Sequence, residues 1–234
     1  MKINRGSLLA GAESARGITI VIDVFRAFTC APLLFAMGIN RSILVSTPRE
    51  AFDLKRKYPE LILIGEVGGA PIEGFDFGNS PSELLKQNPA HFKDKTIVQR
   101  TSAGVQGALS ALRTADEVLI GSFVLARSTA EYILSKRPKH VSLVAMGWNL
   151  QEIAPEDEWC ATYIASLLGT GTYDHLQALR EIIFHKQAQK FLHPDKSHFP
   201  PEDPVICLQR NLYGFVLRVE RESELVVVKK IENP

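Results

Sequence analysis

Cysteine is scarce: Cys30, Cys160 and Cys207 are the only three in 234 residues, and no two of them form a CxxC pair. An odd, dispersed count argues against a disulfide scaffold and against a structural zinc site. No apolar run of eighteen residues occurs, so a membrane-spanning helix is not expected. The opening segment MKINRGSLLAGAESARG has no apolar stretch of signal-peptide length, and the expected compartment is the cytoplasm. An excess of one charge is missing too. The 27 Lys and Arg against 26 Asp and Glu leave a formal net charge of +1, so no global field gathers nucleic acid or an anionic membrane. Any anion site must be local.

Familiar motifs are absent as well. There is no GxxxxGK[ST] phosphate loop, no GxGxxG after a strand, and no HxH or HExxH among the six histidines. Asp23 lacks the second aspartate of the DxDxT signature. Cys30 is not followed by the Arg of a Cys-x5-Arg loop, so it reads as a small buried residue rather than a nucleophile.

What is present is a regular alternation. Short β-branched runs at 18–24, 42–46, 61–67, 96–100, 117–123 and 140–146 alternate with helix-period segments at 27–37, 48–58, 81–87, 103–113, 124–136 and 156–168. Pro48 suits a first helical turn with Thr47 as its N-cap. Strands that are apolar almost throughout, joined by helices, predict an α/β fold: a three-layer α/β/α sandwich with a mainly parallel sheet. The alternation ends after Gly169-Thr170-Gly171. Residues 1–170 read as an α/β catalytic domain. Residues 171–234 read as a C-terminal appendage of one long helix (173–191), a proline-rich stretch (193–204) and two strand-like runs (214–219 and 224–231), packed on the sandwich or completing an edge of its sheet.

In an open parallel sheet, ligands bind beyond the carboxyl ends of the strands, and the polar residues gather there. Arg26, Arg100 and Arg127 each follow a strand, and guanidinium groups hold phosphate or sulfonate bidentately. Thr101 and Ser102 open a helix whose free N–H groups suit an anion; the alternative is a plain N-cap, with each arginine paired to a carboxylate. Asp23, Glu66, Glu73, Asp76, Glu156 and Asp157 occupy the same loops. Mg²⁺ takes one or two protein carboxylates and completes its octahedron with water and substrate phosphate. Six acids exceed that need, so some must serve as arginine partners or as first-turn helix acids, Glu156 and Asp157 foremost. Asp23, ending an apolar strand, is the strongest metal candidate. The loop 65–80, with its glycines, acids, Asn79 and Ser80, reads as a folded loop over the site.

The strings IDVFRAFTCAPLLFAMG, GEVGGAPIEGFDFGNSP, RTSAGVQGAL, GSFVLARSTA, VSLVAMG and PEDEWCA, in this order from about Ile20 to Cys160, resemble the 2-phosphosulfolactate phosphatase family. The tail after Gly169 resembles it only loosely. The resemblance implies a Mg²⁺-dependent phosphomonoesterase that converts 2-phosphosulfolactate to sulfolactate and phosphate on a route to coenzyme M. The alternatives are a phosphatase for another small phosphorylated acid, or a non-catalytic anion-binding protein of the same fold. Within the shared blocks, chemistry assigns Asp23, Glu66 and Asp157 to the metal. It assigns Asp76, Glu73 and Arg100 to catalysis, with one of the two acids positioning water. Arg26, Asn79, Thr101, Ser102, Ser122 and Arg127 are assigned to the substrate. The expected partner is a small anion rather than nucleic acid or a membrane; a homo-oligomer is neither required nor forbidden.

Overall fold

The computed structural model describes residues 1–193 and 197–232, so the expected proline-rich stretch falls partly outside the described residues. Among them are ten strands: β1 (Lys2–Ser7), β2 (Ile18–Ile22), β3 (Arg41–Leu44), β4 (Ile62–Val67), β5 (Ala70–Pro71), β6 (Thr96–Arg100), β7 (Glu117–Gly121), β8 (His140–Ala145), β9 (Phe215–Glu222) and β10 (Leu225–Glu232). They form one sheet in the order β1-β8-β2-β7-β9-β10-β3-β6-β4-β5. β1, β8, β2 and β7 are mutually parallel, as are β3, β6 and β4. All six expected strands are there. Thr47 caps the helix Pro48–Lys57 by accepting from the Glu50 amide.

Three features differ from expectation. The polar segment KINRGS was not read as a strand; it is an edge strand, paired on one side to β8 and only half buried. The C-terminal strands do not complete an edge. β9 and β10 stand in the middle of the sheet, antiparallel to each other and to the flanking β7 and β3, and they weld the two parallel halves together. The reason is visible in Leu225-Val226-Val227-Val228, a continuous apolar run that suits burial on both faces. Val226 and Val228 enter one core layer and Val227 another. The expected long helix 173–191 is broken into His175–Ile183 and Lys186–Gln189. His185 adopts an extended backbone there and its ring nitrogen accepts from the Gln187 amide, capping a new helix.

The layers follow from strand alternation. Val21, Leu44, Ile62, Ile64 and Leu217 face one core, shared with the helices Ala27–Ala36 and Gly104–Ala111. Ile20, Ile22, Leu119 and Leu143 face the other, against Ala126–Lys136, Pro155–Leu167 and His175–Ile183. Six strand steps of about 4.8 Å would put the ends of β2 and β4 roughly 29 Å apart in a flat sheet. Arg26, just after β2, nevertheless donates to the carbonyl of Gly69, just after β4, at 3.0 Å. The sheet therefore coils around the first helical layer and draws those strand ends together.

Candidate active site

The converging ends enclose a small pocket lined by Asp23, Phe25, Arg26, Glu66, Gly69, Asn79, Ser102, Ala103, Gly147, Trp148 and Asn149. Five expected site residues thus meet: Asp23, Arg26, Glu66, Asn79 and Ser102. Asp23 ends the buried strand β2 and is itself 6% exposed. Its Oδ1 accepts from the Ala27 amide at 3.2 Å and its Oδ2 from the Gly104 amide at 2.8 Å. Burial first, and then the Glu66 carboxylate, push the Asp23 carboxyl up to about 7, against the pull of those amides and of Arg26. Gly104 is required where it stands, because a Cβ there would lie 2.6 Å from Asp23 Oδ2.

Glu66 is held from the neighbouring strand. Its Oε1 accepts from the Ser102 amide at 2.5 Å; its Oε2 accepts from the Gly69 amide at 2.6 Å and the Ser102 hydroxyl at 3.1 Å. The loop after β4 makes this by a tight turn with Gly68 and Gly69 both at positive φ, where a Cβ on Gly69 would meet Phe199 at 2.5 Å. Asn79 is 4% exposed and its buried Oδ1 has no hydrogen-bond partner.

Acceptor counting shows what the pocket wants. Each carboxylate oxygen offers about two lone-pair sites. Asp23 keeps one on each oxygen, Glu66 one on Oε1, and Asn79 Oδ1 keeps both. The three residues line a cavity of about 20 Å³, room for one water-sized occupant. Arg26, the one cationic lining residue among the described residues, is already engaged: Nη1 donates to Asp203 Oδ2 and the His198 carbonyl, both at 2.9 Å. Unshared oxygen acceptors around an ion-sized space suit a hard cation. Among the described residues no three His, Cys, Asp or Glu converge as a metal-binding group. Two carboxylates and an amide oxygen are a complement that Mg²⁺ accepts alongside water.

The other expected residues fall elsewhere. Asp157 lies behind the pocket, Oδ1 accepting from the Val24 amide at 2.7 Å and Oδ2 from the Gly147 amide at 2.8 Å; it pins the ends of β2 and β8 and does not line the pocket. Arg100 stands outside the pocket wall, donating to the Glu66 carbonyl at 2.5 Å and the Ser102 hydroxyl at 3.2 Å, so it braces Glu66 instead of facing a ligand. Thr101 Oγ1 accepts from the Val105 amide at 3.1 Å, a helix cap. The Ser122 hydroxyl donates to the Phe28 carbonyl at 2.6 Å in the core. Asp76 fastens its loop to β4, accepting from the Leu63 amide at 2.7 Å and from Lys55, and Glu73 is exposed on that loop. Arg127 opens a helix on the outer face of the coiled sheet and lines a different cavity. The convergence expected for Arg127 fails because a 3₁₀ turn, Phe123–Leu125, carries the chain around the strand end before it.

Two acids were passed over. Glu156, read as a first-turn helix acid, is 4% exposed with Oε2 unpartnered. Burial above all, with the Asp23 charge adding, raises it to about 7. Asp203 is fully buried and gathers four donors: Arg26, the Ser80 hydroxyl at 2.8 Å, and the Ser82 amide and hydroxyl at 3.0 and 2.6 Å. It holds Arg26 and the Asn79-Ser80 turn together from the far end of the chain, with Phe199 and Phe191 over the guanidinium at 5.0 and 5.5 Å. Nothing local in PEDPV announces this. Asp203→Ala should lower unfolding stability by about 3–5 kcal/mol, since it strands a buried guanidinium; a chemical denaturation curve superposing on wild type would refute the clamp.

Cys30 is fully buried. Burial first, and then Cys207 and Asp203, push its thiol up, so no thiolate is available. Cys30→Ser should keep turnover within roughly a factor of ten of wild type, well short of the ~10²–10³ lost with an electrostatic catalytic group. A folded but inactive Cys30→Ser protein would restore the cysteinyl mechanism.

A coiled, mainly parallel sheet with carboxylates and an arginine buried at its carboxyl-end pocket defines an α/β enzyme that handles a small charged group. The profile of the 2-phosphosulpholactate phosphatase family matches residues 7–222, and the chain belongs to that family of phosphoric monoester hydrolases. A Bacillus subtilis protein described as a probable 2-phosphosulfolactate phosphatase is 35% identical over 217 residues, 92% of each chain. Proteins with the same description from Deinococcus radiodurans and Carboxydothermus hydrogenoformans are 32% identical over 151 residues and 38% over 149. Each of those matches covers 64% of this chain, and 61% and 59% of the relative. No described helix is long and apolar enough to cross a membrane.

Proposed function

We propose that this protein is a Mg²⁺-dependent phosphomonoesterase that hydrolyses 2-phosphosulfolactate to sulfolactate and phosphate. The observation that carries the reading is the ion-sized pocket with unshared acceptors on Asp23, Glu66 and Asn79 Oδ1. These three residues would hold the ion, which when bound supplies Lewis-acid neutralisation of the phosphate. The names carried by the relatives supply the substrate class.

The chain's own residues position and exclude. Arg26 and Asn79 form a wall shared with an adjoining cavity of about 370 Å³ that also takes in Ser80 and His198. The substrate's body fits there, with its phosphate turned toward the acid pocket. Phe25 and Trp148 line the pocket with Phe199 packed against Trp148, and such apolar walls strengthen each charge contact inside. Asp23, Glu66 and Asn79 are fastened by backbone amides and buried packing, so they need no reorganisation during reaction. Ester hydrolysis adds water across the P–O bond, so one proton leaves the attacking water and one reaches the leaving alkoxide.

The test is release of inorganic phosphate from a panel of 2-phosphosulfolactate, phospholactate, phosphoglycolate and phosphoglycerate. The highest kcat/KM is expected for 2-phosphosulfolactate. A clear preference for phospholactate would transfer the assignment to a sulfonate-free acid, and no turnover of any member would leave only an anion-binding protein.

A further inference from the structure

A second cavity, of about 600 Å³, lies on the outer face of the sheet, away from the acid pocket, and nothing in the proposed reaction uses it. Its volume falls within the ~300–1,000 Å³ usual for small-molecule sites. Arg127, Arg210, Tyr163 and His175 supply the polar side, contributed by three helices and the turn after a fourth. Leu179, Ile183, Val205 and Leu208 supply the apolar side. None of the described lining residues is acidic.

The polar side is built rather than incidental. Asn211, at φ 59°, accepts from the Arg127 amide at 3.0 Å and donates to the Tyr163 hydroxyl at 2.8 Å, tying two helices to the turn that bears Arg210. The Arg210 guanidinium lies over the rings of Tyr163 and Tyr173, at 5.2 and 5.9 Å. Stacking of this kind pre-orders the cation without consuming its edge donors. The field reaches across the cavity: burial first, and then Arg210, hold His175 below its usual range. Beside these cations, Val205 is 64% exposed, an apolar contact left to solvent.

We propose that this cavity is a second ligand site for a small amphipathic monoanion, a carboxylate on an apolar body. Arg127 and Arg210 hold the carboxylate, and Leu179, Val205 and Leu208 take the body. A second copy of the chain fits less well, because a two-fold contact would bring the same arginines face to face with no carboxylate between them.

The probe is 2-naphthoate, titrated calorimetrically into the full chain, with 2-naphthalenemethanol as its uncharged counterpart. One saturable site per chain is expected at up to millimolar concentration, and the alcohol should bind at least about tenfold more weakly. Saturating inorganic phosphate, which addresses the acid pocket, should leave the naphthoate affinity unchanged. The double variant Arg127→Ala, Arg210→Ala should lose at least about tenfold. So should Val205→Asp, which puts a repelling charge at an exposed position where folding is not at stake. Thermal melts of both variants check that they are intact. Absent saturable binding, equal binding of the alcohol, competition by phosphate, or wild-type affinity in Val205→Asp would each overturn the proposal.

Discussion

Asp23→Asn is expected to cut turnover at least about a hundredfold while leaving the protein folded. The loss follows from removing the charge that faces the pocket, on the scale usual when an electrostatic contributor to a transition state is removed. Two opposing terms keep stability near that of wild type. The wild-type carboxylate is desolvated and repelled by Glu66, which is why its carboxyl is pushed up to about 7, and the amide removes that repulsion. Against this, both carboxylate oxygens accept from backbone amides, Ala27 and Gly104, and the Asn NH₂ must face one of them. That lost hydrogen bond costs about 1–3 kcal/mol. Phosphate-release kinetics with a thermal melt read both quantities; near-normal turnover in a folded Asp23→Asn protein would remove Asp23 from the chemistry.

Chelation of divalent ions is expected to reduce turnover at least about a hundredfold, with Mg²⁺ restoring it. The pH dependence makes this specific to the residues named. A cation binds the ionised form of Asp23, whose carboxyl titrates near 7, so protons compete with the metal below that pH. The half-saturating Mg²⁺ concentration should therefore fall as pH rises from 6 to 8, by up to roughly tenfold per unit on the acid side. Stability of the metal-free protein should move the opposite way. The folded pKa of Asp23 lies above its unfolded value, so the folded state binds the proton more tightly. Its contribution is favourable at low pH and is lost as pH rises through about 7. A pH-independent metal requirement would point to ligands other than Asp23.

The sandwich was legible because its strands are apolar on both faces and its helices carry ordinary caps, such as Thr47 before Pro48. The sequence also placed Asp23, Glu66, Arg26, Asn79 and Ser102 at strand ends, and these five do share a pocket. What could not be read was the curvature. A coiled sheet separates an inner rim from an outer one, and Arg127 went to the outer one although its motif context matches that of Arg26. Nor does a carboxylate's position in sequence say which hydrogen bonds it accepts. Asp157 and Asp76 look like ligands until the fold puts them outside the pocket, Asp157 accepting from the Val24 and Gly147 amides behind it and Asp76 from the Leu63 amide and Lys55. Asp203 was invisible because its partners, Arg26, Ser80 and Ser82, are all more than 120 residues away. The central place of β9 and β10 was within reach, since Leu225–Val228 is apolar without alternation.

The central claim is that one divalent ion sits between Asp23, Glu66 and Asn79. Its most direct test is the anomalous scattering of Mn²⁺ in crystals of the protein grown with that ion in place of Mg²⁺. A single strong peak within coordination distance of Asp23, Glu66 Oε1 and Asn79 Oδ1, absent from Asp23→Asn crystals, is the expected result. A peak centred on Asp157 and Glu156, or a wild-type pocket empty at Mn²⁺ concentrations that support full turnover, would contradict it.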